Sequence, residues 1–314
     1  MTDVIKSPKV NIVFDASQYD MFSLCEQRFH IRYDLNKVIP EKAKPLDKGT
    51  LVHIAEETYW ESLQSGAKYD YAVSSALMKI REAGVIATDL SSEEILRIVD
   101  VMEENFDHWR VADQGFKIEA VEKPFIYLLY EDDEIRIYMT GKIDLVVSDN
   151  KYTNLPYDHK SFERSGEVNE MSNQFKNYCY ALKSNYLIVN RIGFQKTLPP
   201  HEKYLRVPVT YDHLQLEQWK NNVVRRCFWY LQCVAEYQRS GLSSSFPLNE
   251  TSCDKFNRRC EYYDVCKSSG IEAKEFKLAN NYIEVDKWDV TKSMRKTSEI
   301  ISDLEKEKEK LSHE

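Results

Sequence analysis

Two groups of residues in this chain have types and spacings that could do chemistry. The first is Gly141-Lys142-Ile143-Asp144 followed by Asp158-His159-Lys160, which sets two carboxylates fourteen residues apart with an amine beside the second. The second is a C-x6-C-x5-C array of Cys253, Cys260 and Cys266, with Cys25 far upstream in an aromatic-rich segment. Successive residues of a strand point to opposite faces, so Asp158 and Lys160 share one face while His159 points away. If the strand of Asp144 lies alongside, two hard oxygen ligands and an ammonium converge. That set suits Mg2+ or Mn2+, and the backbone carbonyl of His159 could complete it. A cation held there would activate water and offset charge on a scissile phosphate, with Lys160 stabilising that charge or orienting the water.

Gly49-Thr50-Leu51-Val52-His53 puts an imidazole on a helix, with Glu56 and Glu57 one turn later, and makes His53 a candidate further ligand. Gln174 and Tyr178, four apart on a downstream helix, face one side, where an amide and a phenol could reach phosphate oxygens or a base. Each match alone is commonplace: D-x-K is ordinarily a mixed-charge surface strand, and a helical histidine is ordinarily core or surface. The order carries the weight. G-x-x-x-H, G-x-x-D, D-x-K and Q-x-x-x-Y fall on a helix, two strands and a helix in turn.

Those elements follow from periodicity. Residues 1–14 read as a loose arm, and a helix capped by Asp15 or Ser17 runs to about Asp34 on the spacing of Phe22, Cys25, Phe29 and Tyr33. Pro40 and Pro45 mark a loop. Helices follow over Lys48 to Leu63, Tyr69 to Glu82 and Ser91 to Ala112, the last with a capping start at Ser91-Ser92-Glu93-Glu94. The period then shortens to two, giving strands over Phe116 to Tyr130, Glu134 to Thr140, Lys142 to Ser148 and Asn154 to His159. A helix from about Asn169 to Lys183, strands near Tyr186 to Gln195 and Lys203 to Thr210, and a long helix from Asp212 to Arg239 complete a mixed α/β core. Gly241 to Lys267 reads as loop. Beyond Trp288 a charged tail ends in Glu305-Lys306-Glu307-Lys308-Glu309-Lys310, read as a solvated helix or as a docking arm for a replication or recombination partner.

A chain of 314 residues with 42% hydrophobic content can bury a core, as one large domain or two modest ones. The net charge of −8 argues against nonspecific coating of nucleic acid but leaves room for a local basic groove. No secretory leader precedes Asp15 and no apolar run nears the roughly 20 residues of a bilayer span. The expectation is a cytoplasmic protein without membrane contact. In such a reducing compartment the clustered cysteines are expected to bind metal, while Cys179, Cys227 and Cys233 read as ordinary buried thiols. Four thiolates hold either a cubane cluster or tetrahedral zinc, and spacing does not separate the two.

Taken together, these motifs resemble the RecB-like branch of the PD-(D/E)xK nuclease superfamily, specifically its iron-sulfur members: AddB-type nuclease domains, CRISPR-adaptation nucleases and stand-alone exonucleases of eukaryotes and phages. The likeness covers about residues 15 to 267. It implies a restriction-endonuclease-like mixed sheet flanked by helices, in four parts. These are an N-terminal helical region (1–112), the nuclease core (113–240), a cluster region (241–270) joining the N- and C-terminal parts, and a charged tail (271–314). It also implies that His53, Asp144, Asp158 and the His159 carbonyl bind Mg2+ or Mn2+, that Lys160 is the catalytic lysine, and that Gln174 with Tyr178 positions DNA. Cys25, Cys253, Cys260 and Cys266 would hold a 4Fe-4S cluster. Glu122 resembles a recurring family glutamate but is read as a surface strand residue. The gap between the first two late cysteines exceeds that of helicase-linked relatives and is nearer to stand-alone phage-type members, and no helicase motor is present.

The implied activity is that of a metal-dependent deoxyribonuclease, an exonuclease on single-stranded or resected DNA ends in recombination, repair or phage DNA processing. Arg28, Arg32, Tyr33 and Lys37 read either as guides for the strand or as a solvated helix face. Two alternatives stand beside this: a DNA-end-binding or recombination-partner module with a vestigial site, and a zinc-clamped nuclease.

Overall fold

The computed structural model describes residues 9–40, 48–87, 90–163, 167–255, 258–296 and 299. In chain order the main elements are β1 (Val10–Asp15), α1 (Ala16–Leu24), α2 (Glu26–Phe29), β2 (Lys37–Val38), α3 (Lys48–Gln64), α4 (Tyr69–Ala87), α5 (Ser92–Asp113), β3 (Lys117–Glu131), β4 (Ile135–Ser148) and β5 (Leu155–Phe162). Then come α6 (Asn173–Leu182), β6 (Tyr186–Gly193), α7 (Pro200–Lys203), β7 (Tyr204–Thr210), α8 (His213–Ser240), β8 (Asp254–Lys255), β9 (Arg258–Arg259), α9 (Tyr263–Cys266), α10 (Ile271–Asn281) and β10 (Ile283–Glu284). The result is a mixed α/β protein with a mixed sheet flanked by helices, consistent with a restriction-endonuclease-like fold. Among the described residues no helix is long and apolar enough to cross a membrane. The chain divides into two compact units, and the division falls within β3 and β4.

One unit comprises residues 1–44, 126–140 and 214–293. Here residues 10–14 depart from the loose arm expected: β1 pairs in parallel with β4 from Val10↔Ile135 to Asp15↔Thr140, and buries Ile12 and Phe14. Its partner lies more than a hundred residues away, beyond the reach of a local pattern. Asp15 caps α1 as expected, accepting from Gln18 N at 2.8 Å while Gln18 Oε1 accepts from Asp15 N at 3.2 Å. Two N–H groups that a helix start leaves without partners are thereby satisfied. The helix expected to reach Asp34 instead breaks at Cys25, whose backbone is extended at φ −164° and ψ 113°. It resumes as α2 and a π-helical turn over His30–Asp34. Helical spacing of the apolar residues allowed continuation; tertiary partners overrode it. Asn249 Nδ2 donates to the Leu24 carbonyl at 2.8 Å, and Gln27 N donates to the Pro247 carbonyl at 3.1 Å. Phe14, Phe22 and Phe29 pack edge-on with Tyr230 of α8 at centroid distances of 5.5–5.6 Å. The span expected as plain loop, Gly241 to Lys267, holds 3-10 turns, the β8–β9 ladder and α9.

The other unit comprises residues 45–125, 141–213 and 294–314. Within it β4 and β5 are antiparallel (Leu145↔Tyr157), β5 and β6 parallel (Asp158↔Val189, Lys160↔Arg191), and β6 and β7 antiparallel (Val189↔Val207). The parallel pair needs a long crossover, which α6 supplies. Leu145, Val147, Leu155 and Tyr157 pack beneath α3, α4 and α5 with Leu51, Ile54, Ala55, Ile80 and Ile98. Val146 joins Ile143 and Tyr178 of α6 in a separate cluster. Ser91 makes the expected capping box with Glu94, opening α5. The two strands expected over 134–140 and 142–148 are one continuous strand. Gly141 does not break it; a Cβ there would come within 2.8 Å of Phe125 Cζ, so the glycine makes room for a ring. The tail from residue 300 lies outside the described residues.

Candidate metal centre

Strand alternation does on β5 what the sequence predicts. Asp158 is fully buried, and Lys160 beside it places Nζ 2.8 Å from Asp158 Oδ2 and 2.9 Å from Oδ1, hydrogen-bonding the latter. The His159 ring points the other way, toward α3 and β6. Asp144, on the neighbouring strand, accepts from the His159 backbone N–H at 2.8 Å through Oδ2. The same oxygen lies 3.5 Å from Nδ1 of His53 on α3.

The structure adds Glu122. Ligand atoms of His53, Glu122 and Asp144 all lie within 4.8 Å of one another, the one such trio of metal-binding side chains among the described residues. The reading of Glu122 as a surface strand residue is therefore corrected: it is 2% exposed. Its backbone sits at φ 48°, so Val121 and Glu122 are buried in succession and the two-residue alternation breaks at this point. A non-glycine residue held there costs about 1–3 kcal/mol, a strain found at functional sites. No periodic pattern could have shown it.

One imidazole nitrogen and two carboxylate oxygens form a donor set for Mg2+ or Mn2+. Asp158 Oδ2 is buried, and the charge facing it is the Lys160 ammonium at 2.8 Å. One further observation fits a cation. The carboxylates crowd one another: burial raises Glu122, with Asp144 adding to the shift and Lys142 opposing it, and burial raises Asp144 against the pull of Lys160. Asp158 is pushed up to about 6, by burial first, with Lys160 opposing and Asp144 reinforcing. A divalent ion would relieve this cost by favouring the charged forms. His53 is lowered by burial and by Lys160, which leaves its ring neutral and able to ligate.

A chain of hydrogen bonds ties the remaining motif residues to the same place. Lys160 Nζ donates to Gln174 Oε1 at 3.1 Å, Gln174 Nε2 donates to Tyr178 Oη at 2.7 Å, and Tyr178 Oη donates to the Lys142 carbonyl at 2.7 Å. Gln174 and Tyr178 do face one side of α6. Tyr178, only 2% exposed, spends its hydroxyl inside the protein rather than at the surface. Lys142 also pairs with Glu122 through its ammonium. Beneath β5, the His159 ring meets Asn190 Nδ2 at 3.0 Å, and the buried Glu56 accepts from Trp60 Nε1 at 2.9 Å and Asn105 Nδ2 at 3.1 Å. Glu56 stood one turn after His53 in the sequence without a role, and Lys142 was visible only as part of the G-x-x-D tetrad.

All four cysteines singled out from the sequence lie in the other unit. Cys25 is buried at the helix break, while Cys253, Cys260 and Cys266 are partly buried. Cys260 N donates to the Cys253 carbonyl at 2.8 Å. The Cys266 thiol is pushed up to about 12, by burial first and then by the thiols of Cys260, Cys25 and Cys253, which are near enough to act on it. Cys179, Cys227 and Cys233 are buried separately, as expected. Of the basic residues read as strand guides or solvated face, Arg28 pairs with Glu261 and Lys37 with Glu284, each at 2.9 Å; the Arg32 guanidinium lies over the Tyr33 ring.

The family model of the PD-(D/E)XK nuclease superfamily matches residues 14–267. The chain belongs to this superfamily. The matched span opens one residue before the cap of α1, closes one residue after Cys266, and includes His53, Glu122, Asp144, Asp158 and Lys160. No curated protein matches the chain. The nuclease is thus a hydrolase of a family that works with divalent metal, and its His53, Glu122 and Asp144 could supply the ligands.

Proposed function

We propose that this nuclease is a Mg2+- or Mn2+-dependent deoxyribonuclease of the RecB-like branch, an exonuclease acting on single-stranded or resected DNA ends in recombination, repair or phage DNA processing, and braced by a 4Fe-4S cluster. One observation carries the catalytic part: three donor side chains meet within 4.8 Å, and on the neighbouring strand a buried aspartate is paired with a lysine held on two sides. When bound, the cation supplies Lewis acidity toward a phosphate oxygen and lowers the pKa of water. His53, Glu122 and Asp144 would hold it; Asp158 and the His159 carbonyl are the further ligands that the family likeness implies, Asp158 being outside the trio and paired with Lys160.

Lys160 is fixed between Asp158 and Gln174, so its ammonium is oriented before substrate arrives and can stabilise charge developing on a phosphate without reorganising. Gln174 sets the Lys160 amine, and Tyr178 locks α6 to β4 through the Lys142 carbonyl. The pair then serves DNA positioning through Lys160 more than by contact of the phenol. The exonuclease mode and the DNA substrate rest on the likeness to stand-alone iron-sulfur exonucleases.

For the cluster, the support is that Cys25, Cys253 and Cys260 lie near enough to Cys266 to raise its thiol, together with the family likeness. A tetrahedral zinc with Zn–S bonds of about 2.3 Å would hold its sulfurs about 3.8 Å apart. Among the described residues no three cysteine sulfurs lie within 4.8 Å of one another, so the cluster rests on the family likeness. Cys25 and the three late cysteines would then clip together segments from either side of the nuclease core.

Anaerobic purification with iron and sulfide analysis, followed by digestion of end-labelled single- and double-stranded DNA in Mg2+ and Mn2+, tests the whole reading. Wild type should release nucleotides from ends, and Asp144→Ala or Lys160→Ala should stop hydrolysis while keeping iron content and circular dichroism. Hydrolysis retained by both variants would sink the assignment. Tight end binding without hydrolysis in either metal would favour the vestigial-site alternative, and zinc in place of iron would remove the cluster.

A further inference from the structure

Lys142 stands where two parts of the molecule meet the same side chain. Its ammonium pairs with Glu122, a member of the trio, and it also donates to the backbone carbonyl of Arg295 at 2.8 Å. Arg295 belongs to a short C-terminal segment, Met294–Lys296, within the same compact unit. Lys296 anchors that segment a second time by pairing with Glu61 near the end of α3, the helix that carries His53. Local bonds shape the segment further: Arg295 Nη2 donates to the Glu299 carbonyl at 3.2 Å, and Lys296 N to Glu299 Oε2 at 3.3 Å. The chain's C-terminal part is thereby fastened to both β4 and α3, the elements that supply Asp144 and His53.

We propose, resting on the assignment of His53, Glu122 and Asp144 to a divalent cation, that Lys142 is a built-in counter-cation of the metal site and that the docked Met294–Lys296 segment sets how firmly it holds Glu122. A lysine ammonium has three donors and no acceptor. At Glu122 it occupies a carboxylate that a divalent ion needs, and two like charges close together repel, so the ammonium and the ion compete for one ligand. The Arg295 carbonyl resolves the competition by giving the ammonium a second partner to which it can swing when the ion takes Glu122. Without the docked segment the ammonium loses that partner, settles on Glu122 and opposes the ion. Docking of the C-terminal segment therefore makes the site competent for metal, and drawing the segment away lowers affinity for it. Lys142 is a positioning residue in this scheme. Its backbone carbonyl, which holds Tyr178, is unaffected by changes to its side chain.

The test is Mn2+ binding to the full-length protein without DNA, by electron paramagnetic resonance of free Mn2+ and by calorimetry. Removing the ammonium in Lys142→Met should tighten Mn2+ binding by about tenfold or more, as loss of a nearby positive charge requires. Reversing the anchor in Lys296→Glu, which sets like charges against each other at Glu61, should weaken binding by roughly three- to tenfold through release of the segment. The double variant should bind like Lys142→Met alone, because the segment acts only through that ammonium. Glu61→Gln offers a second way to free Lys296, and Lys142→Gln a second way to remove the charge if methionine disturbs folding as judged by circular dichroism. Weaker or unchanged Mn2+ binding in both position-142 variants overturns the proposal, as does an equal effect of Lys296→Glu with and without the ammonium. If Asp144→Ala binds Mn2+ like wild type, the cation-site assignment has failed instead, and the two failures are told apart.

Discussion

Replacing Glu56 by Gln should remove a large share of the nuclease's pH-dependent loss of stability, and burial sets the size. The Glu56 carboxyl is 2% exposed beneath the metal site and is raised from 4.5 to about 8, by burial first and by Asp113 second, against the opposing pull of Trp60, Arg206 and Asn105. Because the folded-state pKa lies above the unfolded one, the native state keeps a proton that the unfolded chain releases. Stability from this group is therefore complete below pH 4.5 and is lost as pH rises toward 8. Each pH unit inside that window costs about 1.4 kcal/mol, so moving from pH 5 to pH 7 removes about 3 kcal/mol. Glutamine cannot ionise. The gap in unfolding free energy between variant and wild type should shift in the variant's favour by about that amount across those two units. Whatever the amide costs by facing the Trp60 and Asn105 donors is a constant offset and leaves the slope untouched. Asp158, Asp144 and Asp113, also raised, are present in both proteins and largely cancel in the difference. Urea unfolding at pH 5, 6, 7 and 8, followed by tryptophan fluorescence and circular dichroism, reads the slope. Parallel curves for the two proteins across this range would refute the idea that a buried, proton-holding Glu56 lies under the site.

Two further outcomes are expected from the same packing. Gly141→Ala should destabilise by about 1–3 kcal/mol in urea unfolding, because its Cβ would press within 2.8 Å of Phe125, which packs against Tyr178; wild-type stability would show that the ring yields freely. Tyr178→Phe should cost about 1–3 kcal/mol by leaving the buried Lys142 carbonyl and Gln174 amide unpaired. It should also lower kcat more than it raises KM as Lys160 loses its fixed neighbour, and an unaltered kcat would show that the Lys160–Gln174–Tyr178 chain does not position the amine.

Much of the site was legible because its parts are local. Asp158 and Lys160 share a face by strand alternation alone, Gln174 and Tyr178 meet because four residues make about one turn of helix, and Asp15 and Ser91 are short polar residues followed three positions later by Gln18 and Glu94. The span of the superfamily model takes in all four motifs. The errors came where a distant partner outweighed a local period. Residues 10–15 became a strand because β4 was there to pair with them, and the helix through Cys25 broke because Asn249 and Pro247 took its backbone groups.

Residue types and their spacing were enough to name His53 and Asp144 as candidate donors and to put Asp158 and Lys160 on one face of a strand, since alternation and helical repeat are properties of the backbone itself. Only the folded chain decided that Glu122 joins His53 and Asp144, that Lys142 answers to both Glu122 and the C-terminal segment, and that Glu56 is shut away from water. Each of those depends on a positive φ or on contacts between residues far apart in sequence. The free energy of such contacts lies in burial and in charges brought close together, and neither exists until the tertiary structure forms.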